Sequence, residues 1–313
     1  MNTSATLSLF GAPKLDFEKH HRLRVAFCYA VAASLILGLT FYGFDYYLLD
    51  STQRPFSPKH LILKPNGSVG LGLGFFGLAL FLAIFLYPIR KHWDWLRRIG
   101  NTKHWLDFHI VLGITAPFVI AFHAAFKFRG LAGMAFWIMS AVAASGIIGR
   151  YLYAQIPRSL SAAEVSLKEL ETLRAQLTEQ LAAQKLISAE ILAPLFRLPS
   201  AAEVQAEPKL LALIVMVALD VQRTVYISRL RLRAVDFWGA LATLGGVFPT
   251  KNQELEKVID TARGQAALSK RILFLSKSQQ VFHLWHVVHK PFSYSFAVLA
   301  AIHIIVVMLF GLR

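Results

Sequence analysis

Long apolar runs, separated by short polar segments, divide most of the chain into candidate membrane spans. Four runs follow one another at about residues 25–49, 68–89, 104–126 and 131–153, and a fifth closes the chain at 281–313. Each is about as long as the roughly 20 residues that a helix needs to cross a bilayer. The pattern predicts an all-α integral membrane helical bundle with about five transmembrane helices.

Between the fourth and fifth runs, residues 154–278 change to an amphipathic, charged pattern of helical periodicity. Ser161 and Glu164 predict a capping box at the start of one helix. The apolar run Leu210–Val221 is short, and Asp220 and several arginines lie in it or follow closely, so we interpret it as a buried or surface-lying helix, with a sixth crossing as the alternative. The segment predicts a cytoplasmic helical insertion.

Basic residues at the span ends predict the orientation. Arg22 and Arg24 precede the first span, and Arg90 and Lys91 follow the second, which makes both positions cytoplasmic by the positive-inside bias. We therefore expect a multi-pass protein of the cell inner (cytoplasmic) membrane, with a cytoplasmic amino end and a periplasmic carboxyl end. The predicted parts are a cytoplasmic amphipathic leader (1–24), four transmembrane helices (25–153), the insertion (154–278) and a fifth transmembrane helix (279–313).

Two of the predicted spans carry histidines at one common spacing. His109 and His123 in the third span are fourteen residues apart, as are His289 and His303 in the fifth. Fourteen helical steps return to within about 40° of the same face and advance about 21 Å. With five spans the two helices run in parallel, which sets His109 level with His289, the inner pair, and His123 level with His303, the outer pair.

Polar side chains inside a bilayer are costly and indicate function. Neutral imidazole is a common iron ligand, and haem iron with two axial histidines suits electron transfer. The single cysteine, Cys28, excludes a disulfide, a thiolate zinc site or an iron–sulfur cluster built from this chain alone, and no C-x-x-C-H attachment site occurs. The histidines therefore predict two stacked b-type haems, with His109 and His289 on one iron and His123 and His303 on the other.

Other residues near the four histidines have predicted roles. Small residues one or two turns away, which leave room for a porphyrin, are Gly113, Ala116, Ser293 and Ala300. Cations that could pair with haem propionates are Arg97, Arg98, Lys103 and Lys290 at the inner mouth and Lys127 and Arg129 at the outer mouth. His286 continues the stripe of His289 and remains an alternative ligand or a quinone contact, although only His289 reproduces the fourteen-residue interval.

Composition and motifs exclude several other classes. Hydrophobic residues make up 56% of the chain, and much of the net charge of +15 lies at span ends, so nucleic acid is not an expected partner. The stretch Gly72–Gly77 matches G-x-G-x-x-G but lies within an apolar span, where a dinucleotide site is not expected. No Ser-His-Asp set, paired carboxylates or phosphate loop stands out, and no catalytic residue is assigned.

On His109, His123, His289 and His303, the chain resembles the dihaem membrane cytochromes of the cytochrome b and ferric-reductase kind. The resemblance covers the spans, about 150 residues, and implies that these histidines are axial ligands that carry electrons between a quinone or flavin donor and an acceptor across the membrane. The chain departs from the family in three ways: it has no Pro-Glu-Trp-Tyr motif, we expect no flavin and nicotinamide domain, and the insertion matches neither family.

The resemblance therefore implies a non-catalytic cytochrome b subunit of an oxidoreductase. Its expected partners are a flavin or iron–sulfur protein inside, a c-type cytochrome outside, or membrane quinone near His286, Lys290, Trp93 and Trp95. One alternative is a proton or metal-ion transporter that uses the intramembrane histidines, although this gives no reason for the repeated interval. Another is a membrane scaffold for a redox complex.

Overall fold

The computed structural model describes residues 12–156, 171–172, 174–176, 178–182 and 187–310, and every regular element in these ranges is helical. The capping box predicted at Ser161 and Glu164 lies outside them. Two 3-10 turns occupy Arg54–Phe56 and Ala193–Phe196. The α-helices are α1 (Ala12–Leu48), α2 (His60–Leu63), α3 (Ser68–Arg90), α4 (Asp94–Arg97), α5 (Thr102–His123), α6 (Gly130–Gln155), α7 (Ala189–Leu192), α8 (Ala201–Ala206), α9 (Lys209–Arg233), α10 (Phe237–Ala242) and α11 (Gln253–Phe310).

Six helices in the described part of the chain are long and apolar enough to cross a membrane. Five overlap the predicted spans, and the sixth is α9, the helix for which a crossing was the alternative interpretation. The prediction of about five is therefore one short of the candidates. Helix α11 has 58 residues and is about 87 Å long at 1.5 Å per residue. A bilayer core is about 30 Å thick, so only part of α11 can lie within it.

Contacts within the chain define two units, one made of Met1–Ile148 with Val288–Arg313 and the other of Gly149–Val287. In the first unit, α3 and α5 pack side by side. Their buried side chains form one apolar cluster that also takes in Met139 of α6, and its other members are Leu73, Leu80, Ala116, Val119 and Phe122. This cluster is the core that holds the helix of His109 and His123.

Two buried arginines fix the segments at the two ends of α5. Arg90 is 5% exposed and donates to the carbonyl of Gly100 at 2.9 Å and to Thr102 Oγ1 at 2.9 Å, which ties down the connector before α5. Arg54 is 8% exposed and donates to the carbonyl of Ala125 at 2.5 Å. Ala125 has a φ of +48°, in the left-handed region that non-glycine residues seldom adopt. The guanidinium of Arg54 thus stabilises an unfavourable turn just after His123.

In the second unit, α9 packs against the first half of α11 in the opposite direction. One buried cluster contains Ile227 of α9 and Ile259 of α11, and another contains Met216 of α9 and Phe274 of α11. Polar contacts follow the same register, since Arg231 pairs with Glu256 at 2.6 Å and Lys270 pairs with Asp220. The two helices therefore form an antiparallel pair.

The charge on this part of α11 bears on the crossing by α9. Residues 254–277 of α11 include eight charged side chains, and ionised groups are costly in a bilayer. If α9 crossed the membrane with its partner, those charges would be carried into the membrane as well. The pairing favours α9 as part of the insertion, although its outward face is apolar, with Leu210, Ile214, Val217, Val221 and Val225 exposed.

Candidate functional site

The four histidines of the repeated interval all lie in the first unit. Helix α5 carries His109 and His123, and α11 carries His289 and His303. Each of the four side chains is neither fully buried nor fully exposed. What distinguishes three of them is the partner of the ring nitrogen Nδ1.

His123 is held by the first turn of α3. Its Nδ1 lies 2.8 Å from the carbonyl oxygen of Gly70. The ring also packs directly on Gly74, where an added Cβ would lie 2.7 Å from His123 Cε1, closer than real contacts allow. Gly77, one turn further on, gives similar room to Ile120 of α5. These glycines form the close-packing face expected of small residues in a membrane helix, and the G-x-G-x-x-G stretch lies inside α3, as predicted.

His109 is held near the other end of α3. Its Nδ1 lies 3.0 Å from the carbonyl oxygen of Ile84, and its ring contacts that of Tyr87 at a centroid distance of 5.1 Å. Pro88 lies inside α3 four residues after Ile84 and has no N–H, so the usual helical hydrogen bond to the Ile84 carbonyl cannot form. The proline therefore leaves an acceptor at the point where His109 needs one.

His289 is held by a side chain of α6. Its Nδ1 lies 2.7 Å from Ser145 Oγ. The Ser145 hydroxyl donates its hydrogen to the carbonyl of Val142 at 2.8 Å, and a hydroxyl has one hydrogen to donate. Ser145 Oγ therefore accepts the hydrogen bond, and His289 Nδ1 donates it.

These contacts determine which ring nitrogen carries the hydrogen when each of the three histidines is in its neutral form. A carbonyl oxygen only accepts, so Nδ1 of His109 and of His123 must carry the hydrogen, as does Nδ1 of His289. In a neutral imidazole the other nitrogen, Nε2, then has a lone pair. Metal-ligating histidines are usually oriented in this way, with the second nitrogen donating to a carbonyl or another fixed acceptor.

The outer pair consists of His123 at the end of α5 and His303 near the end of α11. His123 and His303 lie close enough for their charges to interact. His286, the alternative to His289, instead packs its ring edge-on against Phe282 and Trp285, at centroid distances of 4.7 and 4.8 Å. It belongs to the second unit, whereas His289 belongs to the unit of the other three histidines.

The small residues predicted to pack against haem have different surroundings. A Cβ added at Gly113 would meet no atom within 4 Å, so there is open space one turn from His109. Ala116 is 4% exposed and lies in the apolar cluster between the helices. Ser293 donates to the carbonyl of His289 at 2.7 Å, and Ala300 is half-buried on α11.

Among the predicted cations, Lys290 lies close enough to Lys91 for their charges to interact. Lys91 was not predicted as a site residue. Its ammonium group lies 4.9 Å from the ring centroid of Tyr87, the residue that contacts His109. Local desolvation lowers the pKa of Lys91, and the charge of Lys290 lowers it further.

The remaining predicted cations are placed elsewhere in the first unit. Arg97 forms an exposed ion pair with Asp94 at 3.2 Å, and Arg98 follows it at the end of α4. Lys103 lies in the first turn of α5, and its N–H is capped by the side chain of Asn101. Lys127 and Arg129 are exposed in the turn between α5 and α6. Their role toward propionates stays a prediction.

Sequence reasoning missed a polar cluster at the start of α5. His21 of α1 is 5% exposed, and its Nε2 lies 3.1 Å from Asp107 Oδ2. Its ring stacks on that of His104 at a centroid distance of 3.6 Å. An acidic residue near the start of an apolar span was the available signal, because a carboxylate there needs a partner. The cluster anchors α1 to α5 next to His109.

Among the described residues there is no group of three or more histidine, cysteine or carboxylate side chains that could hold a metal ion by itself. A bis-histidine haem needs only two protein ligands for each iron, the other four coming from the porphyrin. Comparison with family models, with curated proteins and with solved structures finds no match to this chain.

Proposed function

We propose that the protein carries electrons across a membrane through two b-type haems, each bound by one histidine of α5 and one of α11. The observation that carries this proposal is the common orientation of three histidines. Nδ1 of His109, His123 and His289 each donates to a fixed acceptor on a neighbouring helix, which directs the lone pair to Nε2. A packing histidine in a membrane helix has no need of one shared tautomer at three positions.

The residues fit the proposed cofactor in other respects. The inner pair, His109 and His289, and the outer pair, His123 and His303, would each supply two axial ligands, and haem iron ligated in this way supplies reversible one-electron chemistry. The interaction between His123 and His303 supports the outer pair. Open space beside Gly113 supports room for a flat group near the inner pair.

The wider role follows from the absence of a candidate catalytic set in the sequence. We place the chain in the inner membrane as the cytochrome b subunit of a redox complex, with its amino end and insertion in the cytoplasm. Its donor would be quinone or a cytoplasmic flavin or iron–sulfur protein. Its acceptor would be a partner on the other side, such as a c-type cytochrome.

Spectroscopy of the purified protein tests the proposal. We expect sharp reduced bands of the b type and about two haems per chain by the pyridine haemochrome assay, with electron paramagnetic resonance showing bis-histidine ligation. A protein that is helical by circular dichroism but haem-free, after expression with added haem precursor, would overturn the proposal. Proton flux through liposomes that contain such a haem-free protein would instead support a transporter.

A first mutational prediction concerns Pro88. In Pro88→Ala the new N–H can bond to the Ile84 carbonyl and compete with His109 Nδ1. Removing the hydrogen-bond acceptor that orients a ligating histidine typically lowers metal affinity 10–100-fold. We therefore expect the inner haem to be retained at least about tenfold less tightly. Transfer of haem to an apoglobin acceptor measures this, and the outer haem should be unaffected.

Pro117→Ala is the matched control for Pro88→Ala. It makes the same change inside α5, where the carbonyl released by the proline belongs to Gly113. In the described chain that carbonyl receives no hydrogen bond from a histidine. Equal haem loss in both variants would mean that Pro88 acts on the helix as a whole and not through His109.

A further inference from the structure

The Arg90 end of α3 and the adjoining part of α11 bring two lysines together. Phe81 of α3 and Phe296 of α11 pack edge to face at a centroid distance of 5.4 Å, which joins the two helices. From this contact α3 leads forward to Lys91, while α11, followed backward, leads to Lys290. Both lysines therefore lie on the same side of this contact, about 15 Å along α3 and about 9 Å along α11 at 1.5 Å per residue, and the charge of Lys290 lowers the pKa of Lys91.

Lys91 and Lys290 form a like-charge pair for which the described residues supply no acidic partner. In the part of the chain that the structure describes, neither Lys91 nor Lys290 forms an ion pair or hydrogen bond with a carboxylate. Two like charges that are held together repel, and each favours a nearby opposite charge. An anion between them would replace the repulsion with two charge-assisted hydrogen bonds.

The surroundings indicate what such an anion would belong to. The Lys91 ammonium lies over the ring of Tyr87, and that ring contacts His109. Lys290 directly follows His289 in the sequence. The two lysines thus adjoin both histidines of the inner pair. A ligand with an acidic group near one lysine would have the rest of its body near the proposed inner haem position.

We propose that Lys91 and Lys290 form a two-lysine oxyanion site, and that its occupant is a carboxylate of the inner haem. This assignment of the occupant rests on the proposed function. The same chemistry would bind the phosphate of a lipid headgroup, because lysine is a point charge that accepts either oxyanion. Lys91 is the new member of the site, and the two sources of the oxyanion are separated by experiment.

The first arm of the test measures haem retention. Single variants Lys91→Gln and Lys290→Gln, and the double variant, are purified with haem, and transfer to an apoglobin acceptor is followed. A hydrogen bond to a charged group contributes enough that its loss weakens binding about tenfold or more. We expect one of the two haem-release phases to be about tenfold faster in each single variant, and the other phase to be unchanged.

Lys257→Gln is the matched control, since Lys257 is an exposed lysine of α11 whose neighbour Glu254 pairs with it. It should leave both phases unchanged. Equal acceleration of both phases in Lys91→Gln, or acceleration in Lys257→Gln, would overturn the site as a haem-carboxylate site. Unchanged release in the double variant would do the same.

The second arm does not need haem. Binding of the detergent-purified protein to nanodiscs of phosphatidylglycerol and of phosphatidylcholine is compared for wild type and the double variant. A loss of phosphatidylglycerol preference in the double variant, with haem release unchanged, would replace the haem carboxylate by a lipid phosphate as occupant. If the wild-type protein holds no haem, the proposed function fails, but the oxyanion site can still be tested by lipid binding. An unchanged lipid preference in the double variant would then overturn the oxyanion site.

Discussion

We expect that replacing His303 with alanine removes one of the two proposed haems and leaves the other in place. His303 lies close to His123, and the two would ligate the same iron. His289 lies fourteen residues before His303 on the same helix, about 21 Å away along its axis. The loss of an imidazole at one level should therefore not disturb ligands at the other. The haem content should fall from about two to about one per chain, measured by the pyridine haemochrome assay.

The identity of the remaining haem makes this prediction sharper. In His303→Ala the surviving bis-histidine signal in electron paramagnetic resonance should be lost again when His109→Ala is added, because His109 belongs to the inner pair. His92→Ala is the control, since His92 is an exposed histidine just after α3 and should keep both haems. Full retention of haem in His303→Ala would transfer the ligand role to another residue.

The second large effect, on retention of the outer haem, is expected at a glycine that packs against a proposed ligand but is not itself a ligand. Gly74→Ala places a methyl group 2.7 Å from His123 Cε1, so the ring or the helix must shift. Either movement breaks the alignment between His123 Nδ1 and the carbonyl of Gly70. Because that hydrogen bond orients the proposed ligand, we expect retention of the outer haem to fall about tenfold or more.

Gly72→Ala supplies an unusually close control. Gly72 lies two residues earlier on the same helix, and a Cβ added there meets no atom within 4 Å. Both substitutions bring the same gain in helix propensity, about 1 kcal/mol in soluble helices, so the difference between them isolates the contact with His123. Haem-release kinetics should show an altered outer phase in Gly74→Ala only, and an equal change in both variants would refute the steric explanation.

The helices and the histidines could be predicted from the sequence because both depend on local signals. Apolar length located five spans, and the equal intervals singled out four of the chain's histidines. The crossing by α9 was harder, since residues 210–221 are apolar apart from Asp220, and the eight charges of its packing partner lie on α11, more than thirty residues later. That the two helices pack together is seen only in the structure, through contacts such as the ion pair of Arg231 with Glu256 and the cluster that holds Ile227 and Ile259.

The partners of the histidines could not be predicted, because two of the three are main-chain carbonyls. Every residue has a main-chain carbonyl, so the residue type does not show which carbonyl will accept a hydrogen bond. That depends on which helices pack together. Pro88 could have indicated that the Ile84 carbonyl lacks its helical hydrogen bond, but no residue in the sequence indicates the same for the Gly70 carbonyl. Arg54 shows the same limit, since it resembles any loop arginine until its contact with the Ala125 carbonyl is known.

The use of main-chain acceptors has a consequence for how this protein tolerates change. The hydrogen bond from His109 ends on the carbonyl of Ile84, so any apolar side chain of similar size at position 84 leaves it intact. The positions that cannot vary are those that shape the backbone, such as Pro88, or leave space for a histidine ring to reach it, such as Gly74. Among relatives of this chain, most apolar residues of α3 should therefore exchange freely for other apolar residues, while Pro88, Gly74 and Gly77 should be kept.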